Sequence, residues 1–252
     1  MNHSTTKSKL LSVLRGIAVL AACLSVWDIL AYAVSNSYFL PGVKETFAAL
    51  LALAKNADFY LKILISLGRV ALGLIAGIAV GTLLGTVSYL IPNSHALISP
   101  VISVMKATPI ATIILILWFT FTDTSLAVFV AFLMVTPVIW QNVYDGYRAI
   151  PKELREVCDA YEVPFTKRLR VLVIPSVASY LIPATVTSIG LAWKAEIAAE
   201  IMTYSNIGRS IQDFKTLSYD TASVFAWAVT IISMSMLLEW VAKLLLRRIR
   251  TI

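Results

Sequence analysis

Long apolar runs separated by short polar breaks organise the chain, and six of them occupy residues 14–35, 63–91, 98–120, 125–143, 172–202 and 222–246. A helix needs about 20 mostly apolar residues to cross the hydrocarbon core of a bilayer. Each run therefore predicts one transmembrane helix, and the fold class is all-α, a polytopic membrane protein with six spans. The fourth run carries no charge between Asp123 and Asp145, while the second and fifth are long enough to tilt or to project from the bilayer. No soluble domain, low-complexity linker or solenoid period interrupts the series, so residues 1–252 form one membrane domain.

Between the first two runs, Leu40-Pro41-Gly42 breaks the chain ahead of Phe47, Leu50 and Leu51, whose spacing predicts a short helix lying at the membrane interface. In the second run Gly73, Gly77, Gly81 and Gly85 recur every four residues. Such a stripe lacks side chains along one helix face, lets another helix approach closely, and is a packing signal.

Composition fits this pattern. Hydrophobic residues make up 59% of the 252, charged residues only 14%, and mean hydropathy is +0.82, whereas a soluble domain is about one quarter charged. The net charge of +7 comes without basic runs longer than two residues or interleaved aromatics, which argues against a nucleic-acid partner. Topology explains it better. With six spans and both termini cytoplasmic, thirteen basic residues fall on inner segments, from Lys7, Lys9 and Arg15 to Arg247, Arg248 and Arg250, against five outside. Cys23 and Cys158 are too far apart in sequence to suggest a disulfide framework or a metal site. Leu20-Ala21-Ala22-Cys23 imitates a lipoprotein signal, yet membrane spans follow it rather than a secreted domain.

The longest charged connection, residues 145–170, joins the fourth and fifth spans and exceeds what packed helices need. Ile150-Pro151 marks a helix start and Pro164 a stop, which leaves Lys152 to Glu162 as about three turns. Leu154, Val157, Cys158 and Tyr161 share one face of it, while Lys152, Glu153, Arg155, Glu156, Asp159 and Glu162 cover the rest. A helix this short is marginal alone and should bury its apolar face. The cover is either the ends of the protein's own helices or a groove in a partner; mixed charge argues against a lipid surface.

Glu156-Val157-Cys158, then Glu162, then Leu172-Val173-Ile174-Pro175 resemble the Glu-Ala-Ala loop of ABC importer permeases. The spacing is kept, but Val157 and Cys158 stand for alanines and Glu162 for the glycine, so the turn is expected to differ in shape from one built on glycine. Leu40-Pro41, Ser66-Leu67-Gly68-Arg69-Val70, Ser99-Pro100 with Thr108-Pro109 and Trp118-Phe119, Gly190 through Trp193 to Ala199-Glu200, and Phe225-Ala226-Trp227 extend the likeness over nearly the whole chain. They resemble permeases of the nitrate/sulfonate/taurine type, inner membrane components of binding-protein-dependent transport systems. That resemblance implies a type I importer permease fold and a homodimer in the bacterial cytoplasmic membrane. It also implies an ATP-binding cassette subunit seated on Leu154, Glu156, Val157, Cys158, Asp159, Tyr161 and Glu162, and an extracytoplasmic binding protein that delivers a small, often anionic solute. The chain has no phosphate-binding glycine loop, so it is expected to be non-catalytic and without cofactors, with ATP and Mg on the partner.

Charged residues inside apolar runs remain. Each costs about 2.5–3.5 kcal/mol at the bilayer centre and needs a partner, an interface or a wet cavity. Asp28, Arg69, Lys106 and Glu239 lie near predicted span ends, where snorkelling or an interhelical ion pair accounts for them. Lys194, Glu196 and Glu200 lie inside the fifth span, with the two glutamates four apart on one face and Lys194 turned away. The two glutamates either pair with Arg69 or Lys106 on neighbouring helices or, with Lys194, line a translocation pathway. An ion- or proton-coupled carrier using Glu196 and Glu200 is the alternative function, though no matched halves support it.

Overall fold

A computed structural model describes residues 3–249, with side chains over 14–245, and is helical apart from short connections. The side chains of Lys7, Lys9, Arg247, Arg248 and Arg250, which weigh in the charge asymmetry, lie outside the described residues. The helices run α1 (His3–Val34), α2 (Val43–Ala54), α3 (Ala57–Leu90), α4 (Ser94–Ala107), α5 (Ile110–Trp118), α6 (Asp123–Arg148), α7 (Lys152–Ala160), α8 (Phe165–Arg168), α9 (Ile174–Met202), α10 (Asn206–Thr216) and α11 (Thr221–Ile249). Among the described residues five stretches are long and apolar enough to cross a membrane, and the α4–α5 pair makes a sixth if counted together.

That pair departs from the single straight helix expected over 98–120, because it bends by 94° between Ala107 and Ile110. Proline is the cause. Thr108, which precedes Pro109, takes extended dihedrals (φ −76°, ψ 125°), as does Pro109 itself (φ −60°, ψ 132°), since the proline ring disfavours helix at the residue before it. The fifth span starts earlier than residue 172: α8 runs through one π-helical turn, Leu169–Val173, into α9.

The chain forms two compact units. In the unit of Met1–Tyr60 with Ile211–Thr230, Trp27 Nε1 donates to Pro41 O at 3.0 Å and Thr221 Oγ1 to Tyr38 O at 2.8 Å. Asp28 makes neither of the contacts expected of it, since its carboxylate accepts the Val43 N–H at 2.8 Å and so caps α2, where a helix N-terminus favours a negative charge.

The unit of Leu61–Ser210 with Ile231–Ile252 is built around α6, whose Leu126, Ala127, Val130, Ala131, Val135, Ile139 and Val143 are all fully buried. The α3 glycines lie against it. A Cβ at Gly73 would come within 2.6 Å of Val128 O, at Gly77 within 2.7 Å of Val135 Cβ, at Gly81 within 2.8 Å of Ile139 Cβ and at Gly85 within 2.9 Å of Trp140 O. Backbones this close maximise dispersion contact where lipid tails offer no hydrophobic drive. Ile114 of α5 and Ala195 and Ala199 of α9 complete the core around Leu126 and Val130.

Candidate functional site

Two groups of candidate residues lie in the second unit, and the structure treats them in opposite ways. The first is centred on Glu200, fully buried near the end of α9. Its Oε1 accepts from Arg69 Nη1 at 2.7 Å, Ser66 Oγ at 2.9 Å and Asn206 Nδ2 at 3.0 Å, while Oε2 accepts the Ile207 N–H at 3.1 Å. The side-chain donors are oriented by further contacts. Arg69 Nη2 reaches Thr124 Oγ1 of α6 at 2.9 Å, and Asn206 Nδ2 also donates to Lys62 O and Ser66 Oγ, both at 2.8 Å.

Local sequence makes this arrangement possible. The chain reverses between α9 and α10 through Tyr204 (φ 54°) and Asn206 (φ 44°), both left-handed, and asparagine tolerates that region better than most residues. The reversal sets the first turn of α10 over the Glu200 carboxylate, which serves as its capping anion. Gly208 is required there, because a Cβ would collide with the backbone of Glu200 and Ile201. One carboxylate thus ties α3, α9 and α10 together, and through Arg69 also α6.

The other intramembrane candidates do not join this network as acceptors. Glu196 is fully buried one turn before Glu200, and neither of its oxygens meets a hydrogen-bond donor among the described residues. Lys194 is exposed on α9 and makes no ion pair among the described residues. Lys106 does not pair with either glutamate; its Nζ lies 3.4 Å from Gln141 Oε1 and 5.8 Å from the Trp140 ring. Glu239 has Lys243 one turn away at 3.7 Å.

The second group is α7. It ends at Ala160, two residues short of the expected Glu162. Tyr161 closes it and Glu162 follows in the left-handed region at φ 47°. Glu162 N donates to Asp159 O at 3.1 Å and Val163 N to Cys158 O at 2.9 Å, the paired bonds of a Schellman stop. The turn therefore takes the shape that glycine would give, contrary to the expectation drawn from its absence, and it does so with a side chain in a region that costs about 1–2 kcal/mol.

No residue of α7 is buried. On its apolar face Leu154 is 48% exposed, Val157 51% and the flanking Tyr161 80%, with Cys158 half-buried. Glu156 is exposed and lies 3.7 Å from Lys152, while Asp159 accepts from Arg168 Nη1 at 2.6 Å. The periodicity of α7 does not flag Arg155, which reaches back to α6: its Nη2 donates to Tyr147 O at 2.9 Å and Ile150 O at 3.1 Å.

Comparison with known proteins follows the same lines. A family model described as "Binding-protein-dependent transport system inner membrane component" matches residues 70–251. The chain is 23% identical over 240 residues to the putative aliphatic sulfonates transport permease protein SsuC of Bacillus subtilis (strain 168), covering 94% of this chain and 86% of that one. It is 29% identical over 192 residues to the nitrate import permease protein NrtB of Synechococcus elongatus, covering 73% and 69%. The bicarbonate transport system permease protein CmpB of the same species is 28% identical over 218 residues, covering 80% and 76%. Among solved structures, a chain of the inward-facing MetNI methionine ABC transporter superposes with a TM-score of 0.63 at 14% identity, covering 74% of this chain and 93% of that one. An amino acid ABC transporter crystallised with histidines gives 0.64 at 15%, covering 80% and 97%.

Proposed function

The chain belongs to the binding-protein-dependent transport system inner membrane components, as a multi-pass permease subunit of an ABC importer, and we propose that α7 is where it receives its drive from a separate ATPase. The exposed apolar face of α7 carries this reading. Leu154 and Val157 are about half exposed and Tyr161 is 80% exposed, all in a charged connection. A nine-residue helix with such a face is completed by a groove in a partner, in the helix-in-groove manner, with Glu156, Asp159 and Glu162 at its rim. ATP and Mg belong to that partner; this chain contributes no catalytic residue and no cofactor.

Two copies enclose the pathway, both termini face the cytoplasm, and a binding protein delivers the solute from the other side. The solute is a small anion, a reading supported by relatives named for aliphatic sulfonates, nitrate and bicarbonate. Four hydrogen bonds on Glu200 support a structural ion pair rather than a wet pathway lining. Lys194, exposed on α9, is the better candidate to face the pathway or the second copy. The family membership supports an ATP-driven importer and lends nothing to a carrier working through Glu196 and Glu200.

The permease, its ATPase and its binding protein reconstituted in vesicles should take up solute only when ATP is enclosed on the cytoplasmic side. Glu156→Lys should release the ATPase or leave it hydrolysing ATP without transport. Uptake that persists without ATP, or is normal in that variant, contradicts the proposal.

A further inference from the structure

We propose that Arg155 is a positioning residue, a latch that makes α7 move as one body with the ends of α3 and α6; this rests on reading α7 as the helix that seats on the ATPase. A docking helix transmits force only if something stiff joins it to the spans. Here apolar packing does not supply the joint, because α7 buries none of its residues. Its covalent link to α6 is the turn Ala149-Ile150-Pro151, and Pro151 is already extended (φ −56°, ψ 139°). With that turn alone, a push on α7 becomes rotation about the connection.

Arg155 closes the gap. The last carbonyls of a helix are short of intrahelical partners, and the Arg155 guanidinium adds a charged donor to Tyr147 O in the last turn of α6 and to Ile150 O in the turn that follows it. A cation at a helix C-terminus is favoured by the helix dipole as well. The same guanidinium lies over the ring of Tyr89 at 5.4 Å, and Tyr89 stacks on Tyr147 at 4.8 Å and 13°. One side chain of α7 therefore holds the last turn of α6 and the last turn of α3. Arginine suits this task, since its planar group both stacks on a ring and donates from its edge.

Beyond the latch the motion has a stiff path, because α3 and α6 touch backbone to side chain along the glycine stripe from Gly85 to Gly73. The second tether of α7, Arg168 to Asp159 at 2.6 Å, runs to α8 and does not reach α3 or α6. Arg155 is thus the polar connection through which displacement of α7 arrives at the glycine-packed pair.

The test is made on the purified complex of permease, ATPase and binding protein in vesicles, reading solute transported per ATP hydrolysed. Loss of two charge-assisted hydrogen bonds in Arg155→Ala is expected to lower that ratio roughly ten-fold, with the ATPase still co-purifying and hydrolysing ATP. Arg155→Lys, which keeps a cation within reach of the same carbonyls, should recover most of it. Should Arg155→Ala fail to assemble, Tyr89→Leu removes the ring and spares the carbonyl bonds, and a ratio lowered about two-fold is expected. An unchanged ratio in Arg155→Ala, or in Tyr89→Leu where the first variant does not assemble, overturns the latch. Leu154→Asp separates this from the docking reading: if that variant keeps its ATPase, docking fails; if it releases the ATPase while Arg155→Ala transports normally, only the latch fails.

Discussion

Glu200 and the apolar face of α7 each sit in the solvent that they should avoid. Glu200 is a carboxylate buried completely in an apolar span, whereas Leu154, Val157 and Tyr161 stand in water at 48%, 51% and 80% exposure. The difference lies in how each mismatch is resolved. Glu200 finds its partners within the chain, in Arg69, Ser66, Asn206 and the Ile207 N–H. The α7 face is covered only in part by its own chain, and a hydrophobic stripe on a short helix is unstable uncovered. An internally satisfied mismatch holds a fold together, while an unsatisfied one points outward to a partner. The sequence leaves an intramembrane acid open to either role, ion pair or pathway lining, and the contacts of Glu200 favour the first.

Substitutions sharpen the contrast, and the largest effect is expected at the hub. Glu200→Gln leaves the Arg69 guanidinium buried without its counter-charge, an arrangement that costs about 3–5 kcal/mol. The permease should then fail to accumulate as a folded species on size-exclusion chromatography; an assembled but transport-dead protein would instead return Glu200 to the pathway. Next comes Gly208→Ala, where the added methyl meets the Glu200 backbone and overpacking costs about 1–3 kcal/mol, read as a lowered Tm. At α7, stability is expected to rise only slightly in Glu162→Gly. Relief of its left-handed backbone (φ 47°) is worth about 1 kcal/mol, seen as a higher Tm. A lowered Tm in that variant would show that the Glu162 side chain has a contact of its own in the assembled complex.

Much of this was legible in the sequence for a physical reason: a bilayer punishes polar backbone and charge, so apolar runs report spans directly. The 3.6-residue repeat of Leu154, Val157 and Tyr161 likewise predicts the amphipathic α7. What escaped depends on contacts distant in sequence. Ser66, Arg69 and Asn206 converge on Glu200 from positions up to 140 residues apart, and no periodicity brings them together. Arg155 looks like one more polar residue on the wet face of α7, because its acceptors are backbone carbonyls that carry no sequence signal. The bend at Thr108-Pro109 did have a signal, the residue before proline, but unbroken hydropathy across 98–120 masked it. Glu162 shows a local rule overridden, since the Schellman bonds to Asp159 and Cys158 hold a backbone that glutamate alone disfavours.

The central claim is that α7 is completed by another protein, and co-purification of the ATPase with Leu154→Asp/Val157→Asp permease tests it most directly. Both side chains are about half exposed, so the change should cost little stability, about 0.5 kcal/mol per site as is typical of surface positions, read as a small shift in Tm. The account predicts a folded permease stripped of its ATPase and inactive in uptake. A variant that keeps its ATPase at the wild-type ratio and transports normally contradicts it.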